Sequence, residues 1–125
     1  MPTGIPILVV DDNQDAADSL GKILEFLGAD VRLAKDGAEA LEAFKIHDPA
    51  VVLLDIGMPG MDGYEVAQRI RGGFPERRAA LVALTGWGQE EDRRRAREAG
   101  FDHHLVKPAE IADLQKLLSS LGSSH

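Results

Sequence analysis

Five reactive side chains of this 125-residue chain stand where apolar runs stop. Asp11 and Asp12 follow Ile7-Leu8-Val9-Val10, and Asp55 follows Val51-Val52-Leu53-Leu54. Thr85 ends Leu81-Val82-Ala83-Leu84, and Lys107 ends Leu105-Val106 just before Pro108. Three carboxylates crowded together repel one another, so either a pKa rises or a cation sits among them. Oxygen-only ligands with open positions suit Mg²⁺, which keeps several waters and takes one or two carboxylates. Mg²⁺ and Lys107 together balance the three aspartates, and a neutral rim accepts an anionic phosphoryl group that bare acids would repel. Asp55, the lone carboxylate at its strand end, is the natural nucleophile, and its attack on phosphorus gives an acyl phosphate. Asp11 and Asp12 then hold the metal, while Thr85 and Lys107 meet the phosphoryl oxygens. Such a transfer depends on positioning and charge neutralisation more than on a general base.

The elements that must carry these residues can be read from the apolar pattern. Short apolar runs separated by helical periodicity imply buried parallel strands. The expected strands are 5–10, 31–34, 51–55, 81–85 and 103–106. The expected helices are about 15–27, 37–46, 64–71, 89–99 and 109–121. Inward stripes are Ala17, Leu20, Ile23, Leu24 and Leu27 in the first helix and Ile111, Leu114, Leu117, Leu118 and Leu121 in the last. The fourth helix offers only Ala96 and Ala99, which bury little area and make it the loosest. Alternating strands and helices imply an α/β fold with right-handed crossovers and a ligand site at the carboxyl ends of the strands.

Composition narrows the function classes. The chain contains no cysteine, which excludes disulfides and thiolate metal sites. A formal net charge of -7 argues against direct nucleic-acid binding. The cluster Arg93-Arg94-Arg95 with Arg97 follows Glu90-Glu91-Asp92, the order that complements a helix dipole, and reads as a solvated face. No apolar run reaches the ~18 residues of a membrane span, and the start Met1-Pro2-Thr3-Gly4 has no signal-peptide character, so a cytoplasmic location is expected. Taken singly, the reactive residues have ordinary readings too: Asp11-Asp12-Asn13 before a helix is a good N-cap cluster, and Lys107-Pro108 can mark a turn. Their joint placement on four strand ends is what coincidence explains poorly.

The chain resembles the receiver domains of two-component response regulators over nearly its whole length. The resemblance is carried by Val9-Val10-Asp11-Asp12-Asn13, Leu54-Asp55-Ile56-Gly57-Met58-Pro59-Gly60-Met61-Asp62-Gly63, Ala83-Leu84-Thr85-Gly86 and Val106-Lys107-Pro108, in that order. The segment 100–108 is most similar to receivers of hybrid sensor histidine kinases. The resemblance implies a flavodoxin-like, doubly wound, five-stranded parallel sheet in the order 2-1-3-4-5 with five helices, an order that the chemotaxis member of the family exemplifies. It implies a receiver domain over 5–121, flanked by an N-terminal extension at 1–4 and a flexible tail at 122–125.

By position, Asp55 matches the phosphoacceptor. Asp12 and Asp55 match direct Mg²⁺ ligands, with Asp11 acting through water and the Gly57 carbonyl as a further ligand. Thr85 matches the switch hydroxyl and Lys107 the phosphate-contacting ammonium, whose peptide bond to Pro108 is usually cis in the family. The implied donor is a phosphohistidine on a sensor histidine kinase or a histidine phosphotransfer protein. The implied output is a protein partner on the face of helix 4, strand 5 and helix 5. Such a domain serves its own phosphorylation and dephosphorylation and is not a turnover enzyme on an external substrate; it needs neither nucleic acid nor membrane.

Two departures stand out. His104 occupies the place of the family's aromatic switch, where imidazole brings a weaker apolar reward and titration near ~6.5; the plainer alternative is that it packs or faces solvent. In the family the positions of Trp87 and Gly57 tune phosphoryl lifetime, and an indole there with no side chain at 57 implies a long-lived phosphoryl state; the plainer alternative is that Trp87 lies over the loose fourth helix. Three rival readings fit the sequence less well. A Mg²⁺-dependent phosphatase with an Asp nucleophile would place two Asp two residues apart after the first strand, which Asp11-Asp12-Asn13 does not. A flavin-binding protein would not put two Asp in its phosphate loop. A receiver used only as a constitutive binding module would have no need of the full acidic set.

Overall fold

The apolar runs become strands because helices cover both of their faces. The computed structural model describes residues 4–57, 63–85, 90–106 and 110–122. In chain order the elements are β1 (Pro6–Val10), α1 (Gln14–Phe26), β2 (Asp30–Ala34), α2 (Gly37–His47), β3 (Val51–Asp55), α3 (Gly63–Gly73), β4 (Ala80–Thr85), α4 (Glu90–Ala99), β5 (His103–Val106) and α5 (Ile111–Gly122). The five strands pair in parallel in the order β2-β1-β3-β4-β5, as the resemblance implied.

Successive residues of a strand face opposite sides, so each central strand feeds two cores. On one side Leu8, Val10, Val52, Leu54, Leu81 and Ala83 pack with Phe44 of α2, Val66 and Ile70 of α3 and Ala96 of α4. On the other, Ile7, Val9, Leu53, Val82 and Leu84 pack with Leu20 and Leu24 of α1 and Leu114 of α5. β3, flanked on both edges, is buried along its whole length.

Capping explains where the helices begin. The Asn13 side chain accepts a hydrogen bond from the Ala16 N–H at 3.1 Å, and Asp36 accepts one from Glu39 at 2.8 Å. α2 ends at Asp48, which adopts the left-handed conformation (φ 45°) ahead of Pro49. α3 runs past Arg71 through Gly72 and Gly73, further than the helical spacing suggested. Its last turn is held by a Phe74 N–H bond to the Ile70 carbonyl at 3.0 Å. In α5, Leu114 and Leu117 are buried as expected, but Ile111 is 47% exposed because it opens the helix ahead of the turns that meet the sheet. Among the described residues, no helix is long and apolar enough to cross a membrane.

A carboxylate cluster at the carboxyl ends of the central strands

β1 and β3 lie side by side with Val10 opposite Leu54, so their next residues, Asp11 and Asp55, emerge together at the rim. One carboxylate oxygen from each of Asp11, Asp12 and Asp55 lies within 4.8 Å of the others. Asp11 and Asp55 are only 3% and 8% exposed, whereas Asp12 faces solvent. Their aim is set locally. Asp11 Oδ1 accepts from the Asn13 N–H at 2.9 Å, and Asp55 Oδ1 accepts from the Gly57 N–H at 3.0 Å. The backbone is anchored as well: the Asp11 N–H donates to the Ala34 carbonyl at 3.0 Å, and the Ile56 N–H donates to the Leu84 carbonyl at 3.2 Å.

Gly63 sets how tightly the rim closes. A Cβ at this first residue of α3 would lie 2.6 Å from Ile56 Cα and 2.9 Å from the Asp55 carbonyl oxygen, so α3 can start against the end of β3 only without a side chain there. The motif containing Gly63 was legible in the sequence, but this spacing role was not, because the clashing atoms belong to another element.

Thr85 ends β4, beside β3, and is 3% exposed; Leu84 pairs with Asp55. β5 closes the sheet edge with Ala83 opposite His104 and Thr85 opposite Val106. His104 is half-buried, and its Nε2 atom is shielded from solvent. Strand alternation sends His103 to the opposite face. The structure thus brings Asp11, Asp12 and Asp55 together, with Gly57 next to Asp55 and Thr85 on the adjoining strand. Lys107, Pro108 and Trp87 lie outside the described residues, and so do the expectations attached to them.

The donor set suits a hard divalent cation. Three convergent carboxylates, all oxygen and partly open to solvent through Asp12, match the ligand preference of Mg²⁺, and their crowding makes neutralisation by a cation favourable.

Comparison with known proteins gives a consistent result. Residues 7–119 match the family described as the response regulator receiver domain. The chain is 35% identical over 117 residues to the response regulator MprA of Mycobacterium tuberculosis (strain H37Rv), covering 94% of this chain and 50% of MprA. It spans about half the length of several curated relatives that it matches. Among solved structures, the chemotaxis response regulator CheY4 of Vibrio cholerae superposes with a TM-score of 0.87 at 28% identity, covering 95% of this chain and 99% of that one. The signal receiver domain of a signal transduction histidine kinase from Syntrophus aciditrophicus gives 0.82 at 30% identity, covering 95% and 92%. Likeness to kinase-borne receivers is a minor part of this picture.

Proposed function

The chain belongs to the response-regulator receiver family, and on that premise we propose that residues 5–121 form a phosphoacceptor unit in which Asp55 takes a phosphoryl group from a phosphohistidine. Receivers of this family signal by phosphorylation, generally bind Mg²⁺, and interact with histidine kinases and downstream effectors; they are not a classical enzyme family. In the proposed step an Asp55 carboxylate oxygen forms the new bond to phosphorus. The nitrogen–phosphorus bond of the donor breaks, and the departing imidazole takes up a proton from water. Asp11, Asp12, Asp55 and the Gly57 carbonyl would hold Mg²⁺, which when bound neutralises charge on the phosphoryl oxygens. Thr85 and Lys107 meet those oxygens from the β4 and β5 side. Burial of Asp55 limits competing water and strengthens each charge interaction at the site.

The observation that carries this reading is the convergence of three carboxylates from two adjacent strands beside the strand that ends in buried Thr85. Its test is the full chain with Mg²⁺ and acetyl phosphate, followed by intact mass and by the fluorescence of Trp87, the only tryptophan. Wild type should gain one phosphoryl group and Asp55→Asn none; a gain that survives in Asp55→Asn overturns the assignment.

The finer assignments belong to the same proposal. The donor is a sensor histidine kinase or a histidine phosphotransfer protein, cytoplasmic with this domain, and the output partner docks on α4, β5 and α5. Exposed Val106 and Ile111 on those elements support an apolar component to that contact. His104 serves as the switch side chain. The half-burial of its ring on β5, beside β4, supports this, and NMR titration with and without beryllofluoride tests it; one pKa and one rotamer in both states would refute it. Trp87 and Gly57 prolong the phosphoryl state; rapid decay that Trp87→Ala leaves unchanged would rule out that role for Trp87.

A further inference from the structure

At the opposite end of the sheet, Asp102 and Leu81 are joined by two hydrogen bonds running in opposite directions. The Asp102 N–H donates to the Leu81 carbonyl at 2.8 Å, and the Leu81 N–H donates to Asp102 Oδ2 at 2.9 Å. The same Oδ2 accepts from Arg71 Nη2 at 2.6 Å. Arg71 also donates from Nε to the Gly100 carbonyl at 3.1 Å and from Nη1 to the Ala79 carbonyl at 3.0 Å. One guanidinium near the end of α3 therefore gathers the residue before β4, the turn after α4 and the residue before β5. The approach is close: Gly100 has φ +107°, and a Cβ there would lie 2.8 Å from Arg71 Cγ.

A surface ion pair contributes little by itself, and this pair is partly exposed, with side chains 31% and 47% accessible. Here, however, two of the three Arg71 acceptors are backbone carbonyls, so what the guanidinium holds is chain path. The neighbouring cleft of about 500 Å³, lined in part by Arg71, Arg77 and His103, follows the same pattern. Arg77 donates to the Phe44 and Lys45 carbonyls at 2.6 and 3.3 Å and pairs with Asp48 at 3.5 Å. These arginines act as internal struts.

β5 needs such a strut. It has four residues, pairs only with β4, and contains no fully buried residue, so apolar burial specifies its register weakly. A one-residue slip would move Val106 off Thr85 and His104 off Ala83 and turn each β5 side chain to the other face. We infer that Arg71 and Asp102 are positioning residues that lock β5 in register from the end of the sheet opposite the carboxylates and thereby place the β4–β5 side of the phosphoryl site. The influence passes along the strand from Asp102 to Val106, roughly 13 Å at ~3.3 Å per residue. The inference rests on the phosphoacceptor reading of Asp55.

The test separates the two sides of the site. Mg²⁺ affinity, measured by calorimetry, depends on β1 and β3; phosphorylation by acetyl phosphate also needs β4 and β5. In Asp102→Ala the Mg²⁺ dissociation constant should stay within about twofold of wild type, because its hard oxygen ligands are untouched. Phosphorylation should slow by about tenfold or more, as expected for misplaced contact groups. The Thr85 and Val106 amide resonances should shift in the same variant. Arg71→Met should follow Asp102→Ala, Arg71→Lys should recover part of the rate, and Asp102→Asn, which keeps an oxygen for the Leu81 N–H, should be milder. Unchanged rates or unchanged Thr85 and Val106 amides in Asp102→Ala overturn the inference. So does a joint loss of Mg²⁺ binding and phosphorylation in Asp102→Asn, which would mean general loosening of the fold. Wild type that binds Mg²⁺ yet takes no phosphoryl group refutes the phosphoacceptor reading itself, and this inference with it.

Discussion

α1 and α4 both begin at the carboxyl-end rim, yet they are held to the sheet very differently. α1 follows Asp11 and Asp12, is capped by Asn13, and buries Ala17, Leu20 and Leu24 against the β1 side of the core. α4 follows β4, and among its described side chains only Ala96 and Ala99 are buried. A cation–π contact adds to its hold, with the Arg95 guanidinium 4.4 Å from the Tyr64 ring centre. The strand after α4 is equally sparing, with three half-buried residues and one exposed. The contrast teaches where rigidity is needed. The proposed metal ligands must keep their separation, and they stand at the ends of the best-packed strands. Elements that reorganise on a signal are drawn from the low-stability end of a structure, and α4 with β5 fits that description.

The contrast can be broken most decisively at Leu24. Leu24→Ala removes a fully buried side chain from α1 and should cost roughly 2–5 kcal/mol in denaturant unfolding. A loss well below this range would mean that α1 is no better anchored than α4.

A smaller effect sharpens the metal side. Mg²⁺ at a hundred times its dissociation constant should raise unfolding stability by about 2.7 kcal/mol, since only the folded chain assembles the site. Asp12→Ala should abolish that gain. Without metal the same variant should be no less stable than wild type, because removing one of three crowded carboxylates relieves repulsion. Thermal unfolding with and without Mg²⁺ decides both, and a metal-dependent gain retained in Asp12→Ala would remove Asp12 from the ligand set.

The smallest effect concerns α4. Ala96→Gly should lower global stability by roughly 1.5–2 kcal/mol, about 1 kcal/mol of helix propensity plus ~0.8 kcal/mol for the buried methyl. Hydrogen exchange should nevertheless accelerate at α4 amides while α1 amides stay as they were. α4 amides that exchange only through global unfolding would show that the two helices are equally secure.

Much of this architecture was legible beforehand, for reasons tied to particular residues. Val51-Val52-Leu53-Leu54 reads as a strand covered on both faces, which it is, and Asp55 at its end lies at the rim. Asn13 announced a helix start by chemistry that acts within three residues. Ile111 misled because it continued an apolar stripe into a turn that does not reach the sheet, and periodicity carries no information on how far a helix overlaps its neighbour. The end of α3 misled because glycine propensity is weak beside the bonds that hold the last turn.

Local pattern thus placed Asp11, Asp12, Asp55 and Thr85 at strand ends and gave the order of the elements, because strand and helix periodicities and caps are short-range physics. The 4.8 Å convergence of Asp11, Asp12 and Asp55 needed parallel pairing of β1 with β3. The Gly63 contact with Ile56 and the Arg71–Asp102 bracket, which spans 31 residues of chain, were likewise set by packing. Such contacts depend on where whole elements come to rest, and an arginine or a glycine read in isolation carries no mark of the partner that folding will bring to it.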